Sequence, residues 1–342
     1  MIKRILYTLL IMFPVVASAQ INTDRVMAIG RNALYFEDYV LSIQYFNQVI
    51  NAKPYLSDPY FYRGLAKINL DDFQGAESDC SEAIERNPFV VSAYQVRGLA
   101  RIQQNNFAGA IEDYTKALEF DPENIGVWHN MALCRIRQED YKGAKNDLDK
   151  LIAISPRYTK AYLMRGEVDL KQKDTLAAEK DFGKAIEIDR YDADTWASRA
   201  ILRLQQQRYK DAEADFDHAI RLSTRNSGVY INRALARYHQ NNLRGAMSDY
   251  DIALDIDPNN FIGHYNRGLL RAQVGDDNRA IQDFNFVIEM EPDNMMAIFN
   301  RGLLLDQTGD YKGAIKDYST VINEYPNFLL GYQYRACLLY TS

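Results

Sequence analysis

Apolar residues along the chain recur at helical spacing, in paired segments. In the stretch Val91 to Asn124, Tyr94, Leu99 and Ile102 mark one apolar stripe. Phe107, Ala110, Ile111, Tyr114, Ala117 and Leu118 mark a second. Steps of three and four place such residues on one face of an α-helix. The polar triplet Gln104-Asn105-Asn106 separates the stripes, and Asp121-Pro122-Glu123-Asn124 closes the second. Proline cannot continue a helix and biases the residue before it out of one. The predicted unit is a helix, a short turn and a second, antiparallel helix.

The unit returns every 34 residues. Pro54, Pro88, Pro122 and Pro156 keep that step, Arg190 and Thr224 occupy the next two, and Pro258, Pro292 and Pro326 resume it. Asp79, Asp113, Asp147, Asp181, Asp215, Asp249, Asp283 and Asp317 keep it without a miss, as does the alanine series from Ala76 to Ala314. A fixed period over this length outweighs local propensity and predicts stacked units, each burying its apolar face on its neighbours. Full copies start at residues 57, 91, 125, 159, 193, 227, 261 and 295, and Leu329 opens a further one. The segment 20–56 keeps the frame loosely through Gly30, Ser42, Phe46 and Pro54, lacks the Arg and Asp markers, and reads as an N-terminal capping repeat. The array proper covers 57–336, with no Gly- or Ser-rich linker inside it.

Residue by residue, the unit resembles the tetratricopeptide repeat. That family carries an aromatic at position four, Gly or Ala at eight, Ala at twenty, an aromatic at twenty-four, Ala at twenty-seven and Pro at thirty-two. Tyr94, Gly98, Ala110, Tyr114, Ala117 and Pro122 match these. The resemblance implies an all-α fold, a right-handed α-solenoid of antiparallel helix pairs, with about nine repeats and the start of a tenth. It also implies a concave groove lined by first helices, where partner segments bind. Arg190 and Thr224 at the Pro position, and Leu148 and Leu151 in place of an aromatic and Ala, depart from the pattern.

Charge changes the picture inside the unit. Position seven is Arg63, Arg97, Arg165, Arg199, Arg233, Arg267, Arg301 and Arg335, with Met131 the exception. Position eleven adds a Lys or Arg in six copies, including Arg101, Arg203 and Arg237. Cations four apart stack on one side of a helix and repel unless countered. An exposed ion pair is worth only about 0–1 kcal/mol; losing one partner of a buried pair costs about 3–5 kcal/mol. A structural ladder is therefore expected, joining Arg97 to Asp113, Arg199 to Asp215, Arg233 to Asp249 and Arg267 to Asp283. The alternative is a column of Arg that binds anionic ligand groups.

The groove should be lined by positions two, five, nine, twelve and thirteen of the first helices. Candidate partner-binding residues are Phe61, Gln95, His129, Ile231, Tyr265 and Phe299 at position five, and Gln103, Arg137, Lys171 and His239 at position thirteen. Position nine is apolar except for Glu167. The family's Lys and Asn clamp for peptide carboxylates is missing, since position five has no Lys and position nine no Asn. Apolar walls with amide edges suit an extended or helical segment of a protein partner. The periodic aromatics at positions four and twenty-four read as packing rather than as stacking platforms.

Composition narrows the function classes. A net charge of −6 is unfavourable for non-specific binding of nucleic acid, so no nucleic-acid partner is expected. His129, His218, His239 and His264 fall at four different phases of the repeat. No HExxH, paired Cys, Walker loop or G-x-S-x-G occurs. The expectation is a non-catalytic protein–protein interaction scaffold with no metal and no cofactor. Cys80, Cys134 and Cys337 lie too far apart in the array to pair and read as small apolar residues. Residues 1–19 have the layout of a secretory signal peptide: Lys3 and Arg4, an apolar run from Ile5 to Val16, then Ala17-Ser18-Ala19. Cleavage would leave no membrane span, and the expected location is the periplasm, the outer membrane or the exterior. Residues 337–342 read as a truncated helix or as translated sequencing-adapter sequence. On the second reading, the repeats are the recognition module of a larger protein whose catalytic or envelope-anchoring domain follows residue 336. Partner identity and oligomeric state have no signature in the sequence.

Overall fold

A computed structural model describes residues 22–223 and 225–341. The signal-like segment 1–19, Thr224 and Ser342 lie outside that range. The described residues form nineteen α-helices and no strand. They fall into two compact units, one ending at Pro156 and one starting at Arg157, although no linker-like sequence marks the division.

In the first unit, α1 (Thr23–Tyr35) pairs with α2 (Tyr39–Ala52), α3 (Asp58–Ile68) with α4 (Phe73–Arg86), α5 (Val91–Gln103) with α6 (Phe107–Phe120), and α7 (Ile125–Arg137) with α8 (Tyr141–Ile154). In the second, α9 (Thr159–Lys171) pairs with α10 (Thr175–Ile188), α11 (Ala193–Gln205) with α12 (Tyr209–Leu222), and α13 (Ser227–His239) with α14 (Leu243–Ile256). It continues with α15 (Phe261–Gln273) and α16 (Asp277–Met290), then α17 (Met295–Gln307) and α18 (Tyr311–Glu324), and α19 (Leu329–Thr341) packs on α18. Each pair is one 34-residue copy, so the period in the sequence is the period of the fold.

The turn between α5 and α6 shows how three residues reverse the chain. Asn105 takes φ 60°, in the left-handed region. Its N–H donates to the Ile102 carbonyl at 2.9 Å, and the Asn106 N–H to the Arg101 carbonyl at 2.8 Å. This bonding satisfies carbonyls that the ending helix leaves open. Asn106 then caps α6, its side chain accepting from the Gly109 N–H at 3.1 Å. The left-handed residue recurs in every copy: Glu37, Asp71, Glu139, Lys173, Gln207 and Asn241 hold positive φ, and Gly275 and Gly309 take over in the last two.

Small residues at position eight let the two helices approach. A Cβ on Gly98 would sit 2.8 Å from the Tyr114 ring, and one on Gly166 2.6 Å from that of Phe182. Phe46, Tyr114, Phe182, Phe216, Phe284 and Tyr318 are thereby fully buried. Each such side chain contributes about 1.5–3 kcal/mol through burial. Cys80 and Cys134 are buried among them as free thiols, whereas Cys337 is exposed.

Candidate functional site

Behind most first helices runs a charged seam. In the copy 91–124, Arg97 Nη2 and Nε donate to the Asp113 carboxylate at 2.6 and 3.1 Å, while Nη1 reaches the Ser81 hydroxyl of the preceding copy at 3.0 Å. Arg101 donates to Asp113 at 3.0 Å and to Glu77 of the preceding copy at 2.8 Å. The same pattern joins Arg199 and Arg203 to Asp215, Arg233 and Arg237 to Asp249, and Arg267 and Arg271 to Asp283. Every one of these aspartates is buried and each guanidinium half-buried. The seam thus links helices within a copy and copies to each other. The inter-copy partners were not legible as a series, because they change type: Ser81, Asp217, Asp251 and Asn285 follow one another at one position. Burial tends to raise the Glu77 carboxyl, but hydrogen bonds from Arg101 and Gln104 hold it below its ordinary range; Arg203 and Arg208 do the same to Glu179.

Position eleven is Asp169 in one copy and Leu305 in another, so Asp181 is held by Arg165 and Asp317 by Arg301; two further breaks fall elsewhere. Where position seven is Met131, Asp147 keeps Arg135 on one oxygen, and its buried Oδ2 has no hydrogen-bond partner. Burial pushes this carboxyl up to about 6, with Arg135 only partly offsetting it. Where the preceding copy carries Gly183, Arg199 bonds Asp215 but finds no side chain there to bridge to.

The opposite side of each first helix faces outward. At 100° per residue, positions two, nine and thirteen centre one face, and five, six and twelve form its shoulders. Gln103, Arg137, Lys171 and His239 are all exposed there, with the His239 ring stacked on Tyr209 at 4.6 Å. Position nine is accessible despite being apolar: Leu99, Ile201 and Leu269 are 38%, 36% and 40% exposed. Phe61, Gln95, His129 and Tyr265 lie half-buried on the shoulder, and the Tyr265 hydroxyl accepts from Asn300 at 3.1 Å. Ile231 and Phe299, expected to line the groove, belong instead to the core, at 6% and 8% exposure. Ile231 packs toward Gly263 of the next copy, which has no side chain to keep it out. Phe299 sits among Tyr318, Phe328 and Tyr334, with ring centroids 5.0–5.9 Å away.

A further column, at position six, was not legible as a site in the sequence. Asn232, Asn266 and Asn300 recur at 34-residue steps on the shoulder of α13, α15 and α17, half-buried. Among the described residues, the side chains of Asn232 and Asn266 make no hydrogen bond. An amide carries both donors and an acceptor, the complement of a peptide group. Position two was likewise underused: Ile262 and Met296 are 51% and 58% exposed.

The position-four rings are committed elsewhere. Trp128 Nε1 donates to the Pro122 carbonyl at 2.8 Å and Trp196 Nε1 to the Arg190 carbonyl at 3.0 Å, tying each ring to the preceding loop. Among the described residues, no cluster of His, Cys, Asp or Glu has metal-holding geometry, and no helix is long and apolar enough to cross a membrane.

Family models match along most of this region. A model described as tetratricopeptide repeat matches residues 198–261 and 265–327, a second so described matches 125–158 and 159–192, and one described as TPR repeat matches 98–134. A search of curated proteins finds no match by sequence. Among solved structures, a tetratricopeptide repeat protein from Parabacteroides merdae is 21% identical, with a TM-score of 0.56 over 73% of this chain and 98% of that one. The C-terminal part of a TPR repeat-containing protein from Cytophaga hutchinsonii is 17% identical, with a TM-score of 0.56 over 69% and 97%. The Pseudomonas aeruginosa pilF structure is 19% identical, with a TM-score of 0.53 over 64% and 97%. At these identities the likeness is one of fold.

Proposed function

The chain belongs to the tetratricopeptide repeat family, and on that premise we propose that it is an exported, non-catalytic scaffold of the bacterial cell envelope. Its first-helix face takes a segment of a protein partner. The observation that carries this reading is the accessibility of position nine, where Leu99, Ile201 and Leu269 are exposed although the next residues along the same helices, Ala100, Leu202 and Leu270, are buried. Uncommitted amides at Asn232 and Asn266 stand beside this position and offer hydrogen bonds to a partner's main chain. Export is supported by the layout of residues 1–19.

Site-specific photo-crosslinking in cells tests the proposal. A crosslinker at Gln103, Gln205 or Gln273 is expected to trap a partner protein. One at Glu119 or Lys184, exposed on second helices, is expected to trap none. Adducts from the second group alone, or none from either, would refute the assignment of this face.

A further inference from the structure

A cleft of about 400 Å³ opens between the start of α17 and the end of α18. It is lined by the buried Phe299 and Val321, by Met295, Met296, Tyr325 and Phe328, and by Asp293 and Asn294. Its size lies near the lower end of the range for discrete ligand sites, roughly 300–1,000 Å³. The Met296 thioether is 58% exposed, and a methionine wall adapts its shape to what enters.

Asp293 is the charged residue that lines the cleft. Between Arg279 and Arg301, and again between Lys316 and Arg335, the chain has no Lys or Arg. Those two stretches build the cleft. They contribute Glu289, Glu291, Asp293 and Glu324, apart from the buried and paired Asp283 and Asp317. Asn294 is committed, accepting from the Ala297 N–H and donating to Glu291, both at 3.1 Å. Asp293 is exposed and makes no ion pair among the described residues. An apolar hollow edged by an unpaired carboxylate, built from stretches that carry acidic residues and no Lys or Arg, selects a cation beside a large apolar group and disfavours an acidic segment.

We propose that this cleft anchors one large apolar side chain of a partner segment that carries Lys or Arg next to it. The inference rests on the reading of the first-helix face as a peptide-binding surface, and it gives that surface a chemical preference at one end. Met296 opens the cleft onto the face at position two, so a segment lying along α15 and α17 reaches it without leaving the face.

A random dodecapeptide library displayed on phage and panned on the whole chain is the test. Enriched peptides are expected to carry Phe, Trp or Leu beside Lys or Arg. As synthetic labelled peptides they are expected to bind the double variant Asp293→Lys, Met296→Lys at least ten-fold more weakly. Both side chains are exposed, and a circular-dichroism melt that overlays wild type verifies the variant's fold; Met296→Ser serves as a milder second variant. Peptides that lack basic residues, or that bind the variants as tightly as wild type, overturn the cleft proposal and leave the face as a peptide site. No enrichment at all overturns the cleft proposal, and if crosslinks at Gln205 and Gln273 also fail, the scaffold reading falls with it.

Discussion

Asp147 is short of one cation. Asp79, Asp113, Asp215, Asp249 and Asp283 each receive two cations, and Asp181 and Asp317 hold the position-seven Arg on both oxygens, while Asp147 has Arg135 on one oxygen because position seven is Met131. The sign of the consequence follows from its raised value. A folded-state pKa of about 6, against about 3.9 in an unfolded chain, means that the native state holds the proton more tightly. Stability from this group is therefore greatest below about pH 4 and is lost as pH rises through 6. The difference corresponds to roughly 3 kcal/mol. Met131→Arg supplies the missing donor, so the variant should gain on wild type as pH rises. Urea unfolding at pH 4.5 and 7.5 measures this, and an equal difference at both pH values would contradict it. The main pairs of the seam were legible in the sequence because both partners recur. Ile231 and Phe299 were misplaced because helical phase gives a direction, not how far a neighbour covers the residue.

At the scale of the helix pair, boundaries were readable to the residue in the copy 91–124, where Gln104 to Asn106 separates the stripes. The left-handed turn residue was not, because its type varies: Glu, Asp, Asn, Lys and Gln hold the position where only Gly275 and Gly309 carry the expected mark. Shape at this scale is imposed by the pair's packing rather than by the turn residue's own preference. The second break in the seam belongs here too. Gly183 lies inside α10, and a side chain added there meets nothing within 4 Å. Gly183→Ser removes a helix-interior glycine, gaining about 0.5 kcal/mol. It also offers Arg199 the hydroxyl that Ser81 offers Arg97, a further gain of about 1 kcal/mol. The denaturation midpoint should rise accordingly; an unchanged midpoint would mean that Arg199 does not reach the new hydroxyl.

At the scale of the whole molecule, the residues that repeat and those that vary do different work. Arg, Asp, the rings and the small residues recur because every copy must pack on the next, and these account for the fold. Recognition is left to the first-helix face, where Leu99, Glu167, Ile201 and Leu269 differ at one position and Gln103, Arg137, Lys171 and His239 at another. Those residues could be numbered from the sequence, yet their accessibility depended on neighbouring copies that only the structure brings together. The position-six amides escaped notice because Asn130, Asn232, Asn266 and Asn300 form a broken series, interrupted by Tyr62, Val96, Met164 and Ser198 in the other copies. The account stands on the seam being architecture and not a ligand site, and equilibrium unfolding of Asp215→Ala measures that most directly. Asp215 is buried and receives three hydrogen bonds from Arg199 and Arg203 at 2.8–2.9 Å. Its removal leaves the half-buried Arg199 without a carboxylate and Arg203 with Glu179 alone, and is predicted to lower stability by about 3–5 kcal/mol, with first-helix crosslinking retained in the folded fraction. An unchanged unfolding curve together with lost crosslinking would contradict the account and make the arginine column the binding site.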